Sequence, residues 1–136
     1  MLRGSCLCGQ VRYEIEGAID YASHCHCSQC RKGHGAAFAT YGVVSAAKFR
    51  YVQGRESVAS FNATPAATRT FCRRCGSNLE WRGASRPDLV GFALGTLDDD
   101  PHLKPRCHIY VGSRAPWFEI TDGLPQFTAD VVRDSE

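Results

Sequence analysis

Three thiols lie within six residues at Cys25-His26-Cys27-Ser28-Gln29-Cys30, in the pattern C-x-C-x-x-C. Two further pairs, Cys6-Leu7-Cys8 and Cys72-Arg73-Arg74-Cys75, flank it, so seven of the eight cysteines sit in short-spaced clusters. Thiols at these spacings present soft anionic ligands to zinc. Four thiolates close a tetrahedral site, which is structural. Three leave one position for water or for an incoming sulfur or oxygen. An open zinc of that kind polarises a carbonyl, lowers the pKa of a thiol and orients both partners.

The clusters differ in how their chain must bend. On a regular strand the side chains of Cys6 and Cys8 would stand ~6.6 Å apart, too far to share a metal comfortably. Gly4 and Gly9 on either side permit a tighter loop. Gly76 after Cys72-x-x-Cys75 can take positive φ and aim N–H groups at the sulfurs. Arg73 and Arg74 inside that turn are either solvated or offset the charge of a thiolate site. Spacing does not decide which clusters share a metal. Cys6/Cys8 with Cys72/Cys75, leaving Cys25/Cys27/Cys30, is one partition; another recruits Cys107 and makes two closed sites. By itself Cys107 reads as a small buried hydrophobe on a strand. Disulfides fit poorly, because the two cysteines of C-x-C do not readily bridge each other. The ferredoxin spacings of an iron–sulfur protein are missing.

The histidines read mostly as structural. His24 and His26 alternate with Cys25 and Cys27 and so face away from a metal held there. His102 reads as a surface loop residue. His34, in a glycine-flanked loop, could reach a ligand, and His108 opens a strand as a hydrogen-bonded residue. These last two are the exceptions to watch.

Positioning such loops falls to short strands. Six prolines and thirteen glycines punctuate the chain at close intervals, and no window sustains a 3.6-residue period. Strands are expected at Gln10–Gly17, Ala36–Val44, Asp88–Leu94 and His108–Gly112. Lys48–Val52 and Glu56–Phe61 look like a pair joined by Gln53-Gly54-Arg55. Thr68–Phe71 and Ser77–Trp81 should form a hairpin with the second thiol pair at its turn. Helix is expected only as single turns at Ser28–Lys32 and Ser45–Lys48. The fold class predicted is therefore mainly β, with small twisted sheets and metal sites near strand ends.

At 136 residues the chain is expected to form one domain over residues 2–128 with a tail at 129–136. A net charge of +2 argues against nucleic acid or an anionic membrane as partner. The first residues carry no apolar stretch, and no apolar run approaches ~20 residues, which predicts neither leader nor membrane span. The cytoplasm, where thiols stay reduced, is the expected compartment.

Four segments, in order, carry a resemblance: Gly4-Ser5-Cys6-Leu7-Cys8-Gly9-Gln10-Val11-Arg12-Tyr13; Cys25-His26-Cys27-Ser28-Gln29-Cys30-Arg31-Lys32; Phe71-Cys72-Arg73-Arg74-Cys75-Gly76-Ser77; and the tail residues His108-Ile109-Tyr110-Val111, Ala115-Pro116-Trp117 and Leu124-Pro125-Gln126-Phe127. They resemble the glutathione-dependent formaldehyde-activating enzyme family, also called the centromere protein V (CENP-V) type domain. The resemblance implies an Mss4-like, β-tent fold and two zinc ions per chain. It assigns Cys6, Cys8, Cys72 and Cys75 to a structural zinc and Cys25, Cys27 and Cys30 to a catalytic one. It implies a carbon–sulfur lyase acting on a glutathione adduct of formaldehyde, S-hydroxymethylglutathione. Glutathione brings two carboxylates, for which Arg31, Lys32, Arg73, Arg74, Arg106 and Arg114 are the candidate partners. Two other readings of the residues are a zinc-stabilised binding module without turnover and, less compatible with the charge, a zinc-ribbon nucleic-acid binder.

Overall fold

The computed structural model describes residues 1–130. Among the described residues, ten strands and one α-helix follow in order: β1 (Leu2–Ser5), β2 (Arg12–Ile15), β3 (Tyr21–Cys25), α1 (Ser28–His34), β4 (Ala39–Ser45), β5 (Phe49–Gln53), β6 (Val58–Thr64), β7 (Ala67–Cys72), β8 (Asn78–Gly83), β9 (Leu89–Ala93) and β10 (His108–Ile109). The expectation of a mainly β architecture is borne out. Part of the expected tail, residues 131–136, lies outside the described residues.

The strands form two sheets. A three-stranded sheet runs β1-β2-β5, and a seven-stranded sheet runs β10-β3-β4-β9-β8-β7-β6. Every pairing is antiparallel except β10 on β3, which is parallel. Side chains alternate across a strand, and that alternation divides the large sheet into two unlike faces. Val44 of β4 and Val90 and Phe92 of β9 point at the small sheet and meet Tyr13, Ile15, Ile19 and Phe49 in the main core. Tyr13 stacks on Phe49 with ring centroids 4.8 Å apart. A polar contact also crosses between the layers, where the buried Glu80 accepts a hydrogen bond from the Tyr51 hydroxyl. The other face, carrying Tyr41, Val43, Leu89 and Gly91, is left for a cavity.

Three sequence expectations change. Lys48–Val52 and Glu56–Phe61 do form strands, but they do not pair with each other. β5 pairs with β2 in the small sheet, and β6 pairs with β7 at the edge of the large one. The reason is Gly54: its φ of +73° is left-handed, and a Cβ there would overlap the carbonyl oxygen of Gln10. The segment is thus a packed crossing between sheets and not a hairpin turn. The expected strand at His108–Gly112 shrinks to His108–Ile109, because Tyr110 takes φ of +55° and a 3-10 turn follows at Val111–Ser113. β1 and β3 appear where no strand was expected; both are short, β1 pairing with β2, and β3 pairing with β4 and, in parallel, with the remote β10. The β7–β8 hairpin carrying Cys72 and Cys75 is as expected. The turn at Ser28 extends to a seven-residue helix closed by Gly35 in the left-handed region.

Candidate metal centres and active site

The Cys6-x-Cys8 loop and the Cys72-x-x-Cys75 knuckle meet. The four sulfurs lie within 4.8 Å of one another. A tetrahedral site with ~2.3 Å metal–sulfur bonds has sulfur–sulfur edges of about 3.8 Å. Cys6 and Cys8 stand 3.6 Å apart, and Cys8 and Cys72 3.9 Å. The donor set therefore fits one four-thiolate zinc. Backbone hydrogen bonds shape both loops. Gly9 N–H donates to the Cys6 carbonyl, and Val11 N–H donates to Cys6 Sγ at 3.2 Å. Gly76, at φ of +81°, donates to the Cys72 carbonyl at 2.7 Å, so it closes the knuckle through an oxygen and not a sulfur. The Ser77 hydroxyl sits 3.3 Å from Cys75 Sγ and helps pull that thiol down to about 5. Arg73 and Arg74 are exposed, which makes them the solvated turn of the two readings.

Cys25, Cys27 and Cys30 form a second group, again with all sulfurs within 4.8 Å. Cys25 ends β3, Cys27 caps α1, and Cys30 sits in the first turn of that helix with its N–H donating to Cys27 Sγ at 3.2 Å. Hydrogen bonds from Cys25 and Cys30 hold the Cys27 thiol well below its usual range. The same contacts push the Cys25 and Cys30 thiols up, so a metal bound here would have to displace their protons. Cys107 joins neither group. It is buried beside the start of β10, so the partition into two closed four-thiol sites is not the one found.

The two groups differ in their surroundings. Cys25, Cys27 and Cys30 line a cavity of about 390 Å³, and the four-sulfur group does not. The cavity floor is the free face of the large sheet, and it brings in residues that motif reading missed. Arg69 of β7 is 8% exposed and directs Nη2 at Cys30 Sγ across 3.5 Å and Nη1 at the Tyr41 hydroxyl across 3.1 Å. His34 Nε2 meets that same hydroxyl at 2.8 Å. Tyr41 stays a hydroxyl, since burial pushes its pKa up. Arg69 lacked a sequence signal; only the β7–β8–β9–β4 register puts it opposite the helix carrying Cys30.

Behind the three sulfurs runs a second chain of contacts. His26, between Cys25 and Cys27, is fully buried and faces away from the cavity. Its Nε2 meets Nδ1 of the buried His108 at 2.7 Å, and His108 Nε2 meets Asp122 at 2.8 Å. Hydrogen bonding to His108 holds the Asp122 carboxyl below its ordinary value. The carboxylate accepts from His108 Nε2–H, so His108 Nδ1 is left to accept from His26. His24, His108 and Asp122 also bring one ligand atom each within 4.8 Å, with the His108–Asp122 contact already a hydrogen bond.

Of the six basic residues considered for glutathione, none lines the cavity among the described residues. The cations that do are Arg69 and Arg86. Arg31 is turned to the Ser113 carbonyl, and Arg106 covers the Tyr21 ring at 4.1 Å. No described helix is long and apolar enough to cross a membrane.

The family model described as "Glutathione-dependent formaldehyde-activating enzyme" matches residues 1–113. A Halomonas elongata protein named "Putative glutathione-dependent formaldehyde-activating enzyme" is 32% identical, over 88% of this chain and 81% of its own. An uncharacterized lyase of Schizosaccharomyces pombe is 29% identical, over 97% of this chain and 94% of its own. Among solved structures, a Rhodobacter sphaeroides protein superposes with a TM-score of 0.62 at 23% identity, covering 93% of this chain and 99% of that one. That last likeness is one of fold.

Proposed function

Because this chain belongs to the glutathione-dependent formaldehyde-activating enzyme family, we propose that it is a zinc-dependent carbon–sulfur lyase. Its reaction joins a thiol to a small aldehyde, or separates them. In the forward sense the sulfur bonds to the carbonyl carbon, the C=O becomes a hydroxyl, and the thiol proton ends on that oxygen. The observation that carries the reading is that three sulfurs converge on the floor of a cavity while a complete four-sulfur set lies away from it. In this reading Cys6, Cys8, Cys72 and Cys75 hold a structural zinc, and Cys25, Cys27 and Cys30 hold a catalytic one. Zinc on three thiolates would supply Lewis acidity and favour the thiolate form of an incoming thiol.

The chain's own residues supply the rest. Zinc with three thiolates carries a net charge of about −1, and the buried Arg69 guanidinium beside Cys30 offsets it. The cavity walls hold both reactants and shed water, which converts a bimolecular encounter into a local one. Tyr41, held between His34 and Arg69, presents an O–H on the same floor for hydrogen bonding to the aldehyde-derived oxygen. The test is to mix zinc-loaded protein with glutathione and formaldehyde and follow adduct exchange by NMR. Exchange well above the spontaneous rate is expected; a rate equal to it removes the lyase assignment.

A further inference from the structure

We propose that His24, His108 and Asp122 form a further metal site, separate from both sulfur groups, that takes a first-row transition-metal dication. It lies on the face of β3 and β10 turned away from the open sulfur group, and it is independent of the lyase reading.

Strand register builds most of it. β10 runs parallel to β3, and His108 is the Cα partner of His24. Paired residues share a face of the sheet, so the two imidazoles stand side by side, with ring centroids 4.7 Å apart. Cys25, the next residue of β3, turns the other way and lines the cavity. Asp122 arrives from the segment after β10. One ligand atom from each of the three residues then lies within 4.8 Å of the other two. His108 Nε2 and Asp122 Oδ2 are 2.8 Å apart. Two ligands at right angles on a metal, each at roughly 2.0–2.1 Å, stand about 2.9 Å apart. That edge of the site is already the edge of a bound pair.

Each ligand is also held from behind. Thr40 Oγ1 sits 2.7 Å from His24 Nδ1, which leaves Nε2 to ligate. His26 Nε2 sits 2.7 Å from His108 Nδ1, which again leaves Nε2. The Leu124 N–H donates to Asp122 Oδ1 at 3.0 Å and leaves Oδ2. Metal-binding histidines are oriented in this way, through the nitrogen that does not touch the ion. A hydrogen-bonded chain alone uses His26, His108 and Asp122 and leaves His24 Nε2 over; a cation uses it.

The ion takes the place of the proton between His108 and Asp122. His108 then carries its proton on Nδ1 and donates to His26 Nε2, and His26 carries its own on Nδ1, so no proton is released. His26 Nδ1 is buried without a described partner. No hydrogen bond is lost there, but an unpaired buried N–H is a cost, which makes this site weaker than the thiolate groups. Two imidazoles and one carboxylate suit zinc, cobalt, nickel or iron rather than magnesium or calcium. The Asp122 side chain is 45% exposed and that of His108 1%, so the ion enters beside the carboxylate and keeps water in its remaining positions.

The experiment titrates Co2+ onto protein whose sulfur groups have first been filled with zinc, followed by calorimetry, visible absorption and NMR. One further ion per chain is expected, without a sulfur-to-cobalt charge-transfer band, and with the ring signals of His24 and His108 shifted. His24→Gln, Asp122→Asn and Thr40→Val should each weaken it by about tenfold or more, while the zinc content and a cooperative melt are kept. Mg2+ should not compete. No further ion at millimolar cobalt overturns the proposal, and so does cobalt that enters only by displacing zinc from sulfur. Unchanged affinity in both His24→Gln and Asp122→Asn overturns it as well, since the ion would then sit elsewhere, as on the exposed His102–Asp100 pair.

Discussion

Nη2 of Arg69 stands 3.5 Å from Sγ of Cys30, and the two residues are 39 apart in the chain. A buried guanidinium has been placed against a sulfur of the open group, while the four-sulfur group has exposed arginines beside it. The contact links the edge-ward strand β7 to helix α1 and makes charge balance a property of the tertiary fold.

Removing that charge should weaken the metal at one site only. Arg69→Met is expected to lower zinc affinity at Cys25/Cys27/Cys30 by about 10- to 100-fold, the usual effect of losing a group that supports the ligands. The Cys6/Cys8/Cys72/Cys75 site should keep its affinity. Competition with a chromophoric chelator would resolve the two; equal weakening of both would argue for global loosening.

The thiol groups should separate in their structural weight. Cys72→Ser opens a four-sulfur site that ties the first loop to the β7–β8 hairpin, and it should leave the chain unfolded or greatly destabilised. Cys27→Ser should keep a cooperative thermal transition and lose one zinc ion from the two expected per chain. Metal analysis with thermal melts of the two variants checks both statements. Chelation of wild type should likewise release metal first from the three-sulfur group.

The His26–His108–Asp122 chain predicts an acid-sensitive contact. Asp122 has its folded pKa depressed by the His108 hydrogen bond. The unfolded state therefore binds the proton more readily, and the contact stabilises above the unfolded value of about 3.9 and is lost as pH falls through the lower folded value. Asp122→Asn should be less stable than wild type at pH 6, with the gap closing below pH ~4. Urea midpoints of the two proteins at pH 3, 4, 5 and 6 measure it, and a pH-independent gap would contradict the assignment.

Gly54 should tolerate no side chain. Its φ is +73°, and a Cβ would run into the Gln10 carbonyl. Gly54→Ala is expected to destabilise by more than ~1 kcal/mol, read from chemical unfolding, and to disturb the Cys6–Cys8 loop that follows β1. Unchanged stability would mean the crossing can relax.

Much of the site was legible because it is local. Sulfurs two and three residues apart reach one another through the bend of a single loop, so cysteine spacing marks Cys25/Cys27/Cys30 as one ligand group, while only the tertiary structure leaves Cys107 out of it. Alternation along one strand likewise sends His26 away from that group. Short apolar runs between glycines were enough for most strands, and the Cys72–Cys75 knuckle sits at its hairpin as its flanks suggested.

What spacing could not decide lies between segments remote in the chain. Strands β5 and β6 look like hairpin partners, yet they join different sheets, since a packed glycine turns the chain where a hairpin would form. Arg69, Tyr41 and His34 have no common motif and meet only through strand register and helix packing. Asp122 reaches His108 from a loop with no local signal. Local chemistry, written in a few consecutive residues, belongs to the sequence by itself. The charge around that chemistry, and the cavity floor leading away from it, come from long-range pairing, whose energy no short window contains.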